Sequence, residues 1–180
     1  AGPLHPGQDL RYTCSVLGKR LHNPLMKTPV LRFLRNAARE TCRFLQKILP
    51  ALEKDKWWEV CVLLKLSKLQ LEAVLREGKK SLSDLDFADL LRVFDKNWYA
   101  IAETSGFPLG TRPLIGEMLE MRRHYAHHGA IATTSASDHF RQLDTIKRYL
   151  VLIGANKTIL DKLDGEIRDA VASLANAVGV

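Results

Sequence analysis

From residue 28 onward the apolar positions recur at helical spacing, and polar residues fill the intervals. The first such run, "TPVLRFLRNAARETCRFLQKIL", has Thr28 as N-cap and Pro29 in the first helical position. Val30, Leu34, Ala37, Thr41, Leu45 and Ile48 share one face, and Pro50 is expected to stop the helix. A second helix is expected near "DKWWEVCVLLKL". "SKLQ", from Ser67 to Gln70, then forms a capping box that opens a helix to about Gly78. "DLDFADLLRVFDKNWYAIAE" reads as one helix, with Phe87, Leu90, Leu91, Phe94, Trp98 and Ile101 facing inward. "TSGFPLG" is a loop. A helix capped by Thr111 and ended by Gly129 follows, and "ATTSAS" is another loop. The last two helices run from a Ser137 cap to Gly154 and from an Asn156 cap to Val178. No strand-like alternation and no internal repeat is visible, so the pattern predicts an all-α bundle.

Residues 1–27 break this pattern. They hold Gly, Pro and two isolated His without periodicity, and they read as an N-terminal extension to a domain over residues 28–180. "MKTPVLRF" looks like a natural start at Met26, so part of what precedes it need not be native sequence. The opening residues do not have the form of a signal peptide, and the longest apolar runs, such as "VCVLL", are far too short to span a bilayer. Three cysteines, Cys14, Cys42 and Cys61, lack metal-ligand spacing and read as reduced thiols, which points to the cytoplasm.

Charge changes the picture. The 180-residue chain carries a net charge of +7, and residues 1–50 alone carry nine Lys or Arg against two Asp or Glu. The remainder balances, so the excess is N-terminal. At 100° steps Arg32, Arg35, Arg39, Arg43 and Lys47 fall within about a third of the first helix. Glu40 is the only acid between Thr28 and Leu49, and the series Arg35, Arg39, Arg43 has none to relieve it. Two readings stand: contact with nucleic-acid phosphates, or a solvated outer face.

The densest chemistry is "EMRRHYAHHG", Glu120 to Gly129. His124 and His128 stand at i,i+4 as in zinc helices, yet Tyr125 occupies the position of the catalytic glutamate, and no clear third ligand follows, since His139 falls on the next helix. Arg122 is the more telling residue. Leu114, Ile115, Met118, Leu119, Met121, Tyr125 and Ala126 form the apolar face of this helix, and Arg122 falls inside it. A guanidinium there must pair with a carboxylate on another helix, such as Asp89 or Asp95, or line a cleft where it meets a phosphate. His127 lies five positions on, about 140° round an ideal helix. Either the helix end distorts before Gly129, or a second subunit completes a site. An imidazole that exchanges protons near neutral pH and an arginine that stabilises a phosphorane oxyanion together suit RNA cleavage without a metal.

"MRRHYAHH" resembles the Arg-x(4–6)-His signature of HEPN domains (higher eukaryotes and prokaryotes nucleotide-binding). "WWE" at Trp57–Glu59, "KLS" at Lys65–Ser67, "SLSDLDFADLLRVFDKNW" at Ser81–Trp98, "LIGEMLEMRRHYAH" at Leu114–His127 and "DTIKRYLVLIGA" at Asp144–Ala155 are similar to its Swt-type branch. That branch takes its name from a nuclear endoribonuclease of transcript quality control. In bacteria it occurs mostly as a terminal module of large ATPases and helicases in phage defence or restriction. The resemblance implies a HEPN-like bundle of four to five core helices plus a C-terminal helix, dimerised about a two-fold axis with both motifs facing one cleft. It implies Arg122 and His127 as catalytic residues of a metal-independent endoribonuclease that needs no cofactor. Arg123 and His128, with Arg35, Arg39 and Arg43, would add RNA contacts. The branch motif reads Arg-Asn-x-x-Ala-His, so Arg123 replaces its asparagine, and His128 offers a rival register to His127. The family also contains non-catalytic modules for dimerisation or nucleic-acid binding. The chain has no Walker motif, so an ATPase or helicase partner would lie in another part of a larger protein.

Overall fold

The first helix begins where the hydroxyl of Thr28 accepts the backbone N–H of Leu31, with Pro29 behind it. The computed structural model describes residues 28–128 and 135–178, so the reading of residues 1–27 as an extension lies outside the described residues. Helix α1 spans Pro29–Glu53. It buries Val30, Leu31, Phe33, Leu34, Ala37, Ala38, Leu45 and Leu49 against the rest of the fold. Pro50 does not end it. The helix continues for another turn, until Lys54 takes φ 41°. The ring costs one ladder bond, to the carbonyl of Gln46. Gln46 lies on the exposed side of the helix, where water can take that bond.

The expected second helix is corrected more strongly. Short 3-10 turns at Lys54–Lys56 and Leu63–Lys65 flank a π-helical stretch, Trp58–Val62. The buried Asn97 donates its amide to the Cys61 carbonyl at 2.8 Å, inserting a side chain into the backbone ladder. Helix α2, Lys68–Arg76, carries the predicted capping box in full: Gln70 N–H donates to Ser67 Oγ, and Ser67 N–H to Gln70 Oε1.

The segment read as one helix over Asp84–Glu103 is three elements. A 3-10 turn at Leu82–Asp84 precedes α3, Phe87–Lys96, and α4, Trp98–Ser105. Asp86 is the N-cap of α3. The break falls at Asn97, whose amide also bonds the Val93 carbonyl at 2.7 Å and so competes with the helical backbone. The six inward residues predicted here are all buried.

Helix α5 spans Pro113–His128. Thr111 is not its cap: it belongs to the 3-10 turn Leu109–Thr111, its hydroxyl donates to the Pro108 carbonyl, and Arg112 stands between it and Pro113. Helix α6, Ala136–Leu152, starts two residues earlier than expected. Ser135 rather than Ser137 caps it, accepting the Asp138 N–H at 3.0 Å. Gly154, at φ 66°, turns the chain in the left-handed region that glycine enters without strain. Asn156 then caps α7, Lys157–Val178, through the Thr158 N–H.

Among the described residues the fold is all-α with no strand. Helix α6 packs on α1, α5 and α7, and α3 packs on α1 and α5. At the centre Phe94 meets Phe44, Trp98 and Tyr149 at ring-centroid distances of 5.4–6.3 Å. Burying each such ring contributes on the order of 2 kcal/mol. The Tyr149 hydroxyl, fully enclosed, meets Thr41 at 2.6 Å. No described helix is long and apolar enough to cross a membrane.

Candidate nucleic-acid site

Helix α5 buries Leu114, Ile115, Met118, Met121 and Tyr125, as its periodicity predicts, whereas Ala126 is exposed. Arg122 falls among them and is half-buried. Its partner is neither Asp89 nor Asp95. The guanidinium donates to Oδ2 of Asp86 at 2.8 Å, with the two side chains 26% and 22% exposed. Asp95 is already held by Arg112 at 2.9 Å, and Asp89 accepts from the Gln70 amide. Asp86 is free to serve because it stands just outside α3. Its other oxygen accepts the Asp89 N–H at 2.8 Å, so one carboxylate caps one helix and anchors an arginine of another.

Asp89 feels this arrangement. Burial pushes its carboxyl above the usual range, and the neighbouring Asp86 charge adds to the rise. Burial likewise raises the Tyr125 phenol, whose hydroxyl donates to Gln142 at 2.7 Å.

Arg122 stands at the edge of a groove of about 330 Å³ between α3 and α5. Arg92, Lys96 and Arg123 line it as well, with Asp95 as its one acid. Arg92 donates through Nε to the Lys65 carbonyl at 3.1 Å, which fixes it. The exposed Arg123 pairs with Glu120 on its own helix. Arg92 and Lys96 escape a reading based on the Arg–His motif because they belong to another helix. Asp86 could have been found, since an acid followed three residues later by another opens an apolar run.

His127 is exposed and is not among the lining residues. The backbone stays helical through His128, so a distorted helix end does not bring His127 round to Arg122. The side chain of His128, and with it the question of register, lies outside the described residues. His124 is half-buried, edge-on to Tyr125 at 5.4 Å. Among the described residues, no three of His, Cys, Asp and Glu come together as metal ligands.

The basic stripe of α1 is real as a surface: Arg32, Arg35, Arg39, Arg43 and Lys47 are all exposed. It is less unrelieved than its sequence implies. Arg43 donates to the buried Glu40 at 2.7 Å, Arg39 to the side-chain Oδ1 of Asn36, and Arg32 to Glu166 of α7. Arg35 has no ion-pair partner among the described residues. Glu166 was invisible to a reading of one helix, because the pairing spans 134 positions.

A family model described as Swt1-like HEPN matches residues 30–154. Among curated proteins and among solved structures, none matches the chain.

Proposed function

The chain belongs to the Swt1-like HEPN family, and on that footing we propose that it is a metal-independent endoribonuclease module. The observation that carries this reading is Arg122. It takes the arginine position of the family motif, and a capping carboxylate holds it at the rim of a groove lined by three further cations. In the proposed reaction the RNA 2′-hydroxyl attacks the adjacent phosphorus and the bond to the 5′ oxygen breaks. The products are a 2′,3′-cyclic phosphate and a 5′-hydroxyl. Arg122 binds the scissile phosphate and stabilises its transition-state charge. His127 moves the proton, and Arg123 and His128 add phosphate contacts. No metal or cofactor takes part.

His127 lies off the groove on an unbroken helix. The reading therefore includes a two-fold dimer, in which a second copy brings its histidine toward the Arg122 groove. The setting we infer is cytoplasmic phage defence or RNA quality control, alongside an ATPase or helicase partner.

One observation favours a second reading, a non-catalytic dimerisation or nucleic-acid-binding module. Both motif arginines are matched by carboxylates, Arg122 by Asp86 and Arg123 by Glu120, and Arg123 stands where the branch carries asparagine. The deciding experiment is RNA cleavage in EDTA. The first reading expects cyclic-phosphate ends, no action on DNA, and loss of cleavage in His127→Ala with unchanged melting. Intact RNA at every protein concentration leaves the binding module.

A further inference from the structure

A second cationic groove lies between α1 and α7. It encloses about 520 Å³ and is lined by Arg32, Phe33, Asn36, Arg39, Lys162 and Glu166. Positions 32, 36 and 39 lie within about 60° of one another on α1, and 162 and 166 are one turn apart on α7. The matched family span ends at residue 154, and α7 begins at Lys157. This site therefore depends on a helix outside the matched span.

Three cations and one acid leave a net charge of +2 around the groove. The acid is committed to Arg32, whose guanidinium also lies 4.9 Å from the Phe33 ring centroid. Such stacking and pairing present the arginine fork in a fixed plane. Asn36 accepts from Arg39 through its oxygen, which leaves the amide N–H groups to donate. Lys162 is exposed and has no ion-pair partner among the described residues. Guanidinium, amide and ammonium donors around one opening match the oxygens of a phosphate.

Beside the groove, Arg35, Arg43 and Lys47 are exposed along α1, and Arg32 to Lys47 spans about 22 Å at 1.5 Å per residue. That length exceeds one phosphate and fits a run of them.

We propose that the α1–α7 groove binds the phosphodiester backbone of an RNA strand, with Arg32, Arg39 and Lys162 as phosphate ligands and Glu166 as the internal competitor that a phosphate displaces from Arg32. The proposal rests on the nucleic-acid reading of the protein but not on cleavage. It assigns this groove to holding the strand, apart from the Arg122 groove between α3 and α5. Since no base edge is read, binding depends on salt and not on sequence.

The test uses the whole chain carrying His127→Ala, so that cleavage cannot obscure binding. Affinity for a single-stranded RNA oligonucleotide of about twelve residues is measured from low to moderate salt. Lys162→Gln with Arg39→Gln should weaken binding about tenfold or more. It should also flatten the log–log salt slope by about 1.4, the value for two released counterions on a single strand. Glu166→Gln should tighten binding severalfold. Both variants change exposed or partly exposed side chains, and melting curves verify that the fold persists. An unchanged slope in the double variant overturns the proposal, as does weaker binding in Glu166→Gln. Inorganic phosphate separates the sources: displacement of RNA by equimolar phosphate would make this a free-anion site and overturn the polynucleotide assignment. If RNA binds normally in the double variant but is lost in Arg122→Ala, the nucleic-acid reading survives and only this groove is excluded.

Discussion

Asp86 and Arg122, 36 residues apart in sequence, meet at 2.8 Å while Asp86 also caps α3. The two roles separate by substitution. Asp86→Asn keeps a good N-cap and loses only the ion pair, so it should cost less than about 1 kcal/mol. Asp86→Ala loses both, and should cost about 1–3 kcal/mol. Urea denaturation of the two variants checks the order. The Asn variant should also bind RNA more tightly, because Arg122 is released from its carboxylate.

Arg122→Ala should melt almost as the parent does. Both partners are about a quarter exposed, so the pair contributes about 1 kcal/mol or less. A fully buried pair would lose roughly 3–5 kcal/mol when broken. A large fall in Tm, with no RNA cleavage by the parent, would assign Arg122 to structure alone.

Asp89 predicts a pH dependence. Its folded pKa is raised by burial and by Asp86. In the window between its ordinary pKa, about 3.9, and the higher folded value, the folded state holds the extra proton. This group's contribution to stability therefore falls as pH rises through that window. Asp89→Asn should be more stable than the parent at neutral pH, and the difference should shrink as pH falls toward about 3.9. An equal gain at every pH would rule out the charge as its source.

The arginines of the α1 stripe should not behave alike in stability. Arg35→Gln should change it by no more than about 0.5 kcal/mol. Arg43→Ala should cost about 1 kcal/mol, because the buried Glu40 loses its guanidinium partner. Replacing Arg35, Arg39 and Arg43 together by Gln should flatten the salt dependence of RNA binding. A slope equal to the parent's would return the stripe to solvation.

The separation of His127 from the Arg122 groove predicts assembly. Light scattering at high micromolar concentration should give the mass of a dimer. A monomer there would remove the second copy on which the proposed active site depends.

Helix caps and apolar spacing made most of the bundle legible, because they are local. Thr28, the Ser67–Gln70 box and Asn156 act within one turn of themselves, and the inward residues of α3 and α4 need only a period. What escaped depends on distant partners. Asn97 breaks one helix while bonding Cys61 in an earlier segment, and no periodicity encodes that. In the site, an arginine within an apolar face was conspicuous, and so was the offset of His127. The choice of Asp86 over Asp89 and Asp95 was not, since it follows from Gln70 and Arg112 having engaged the alternatives.

Glu40 reaches across the fold in a similar way, with one oxygen accepting the Asn156 N–H at 3.2 Å, 116 positions away. The Arg32–Glu166 and Lys147–Asp164 pairs fasten α7 farther along. Helix ends ordinarily fray, and their amides exchange with solvent through local opening. Here the first turns of α7 cannot lift without stripping a buried carboxylate of a donor. Deuterium should therefore enter residues 159–166 at the pace of global unfolding.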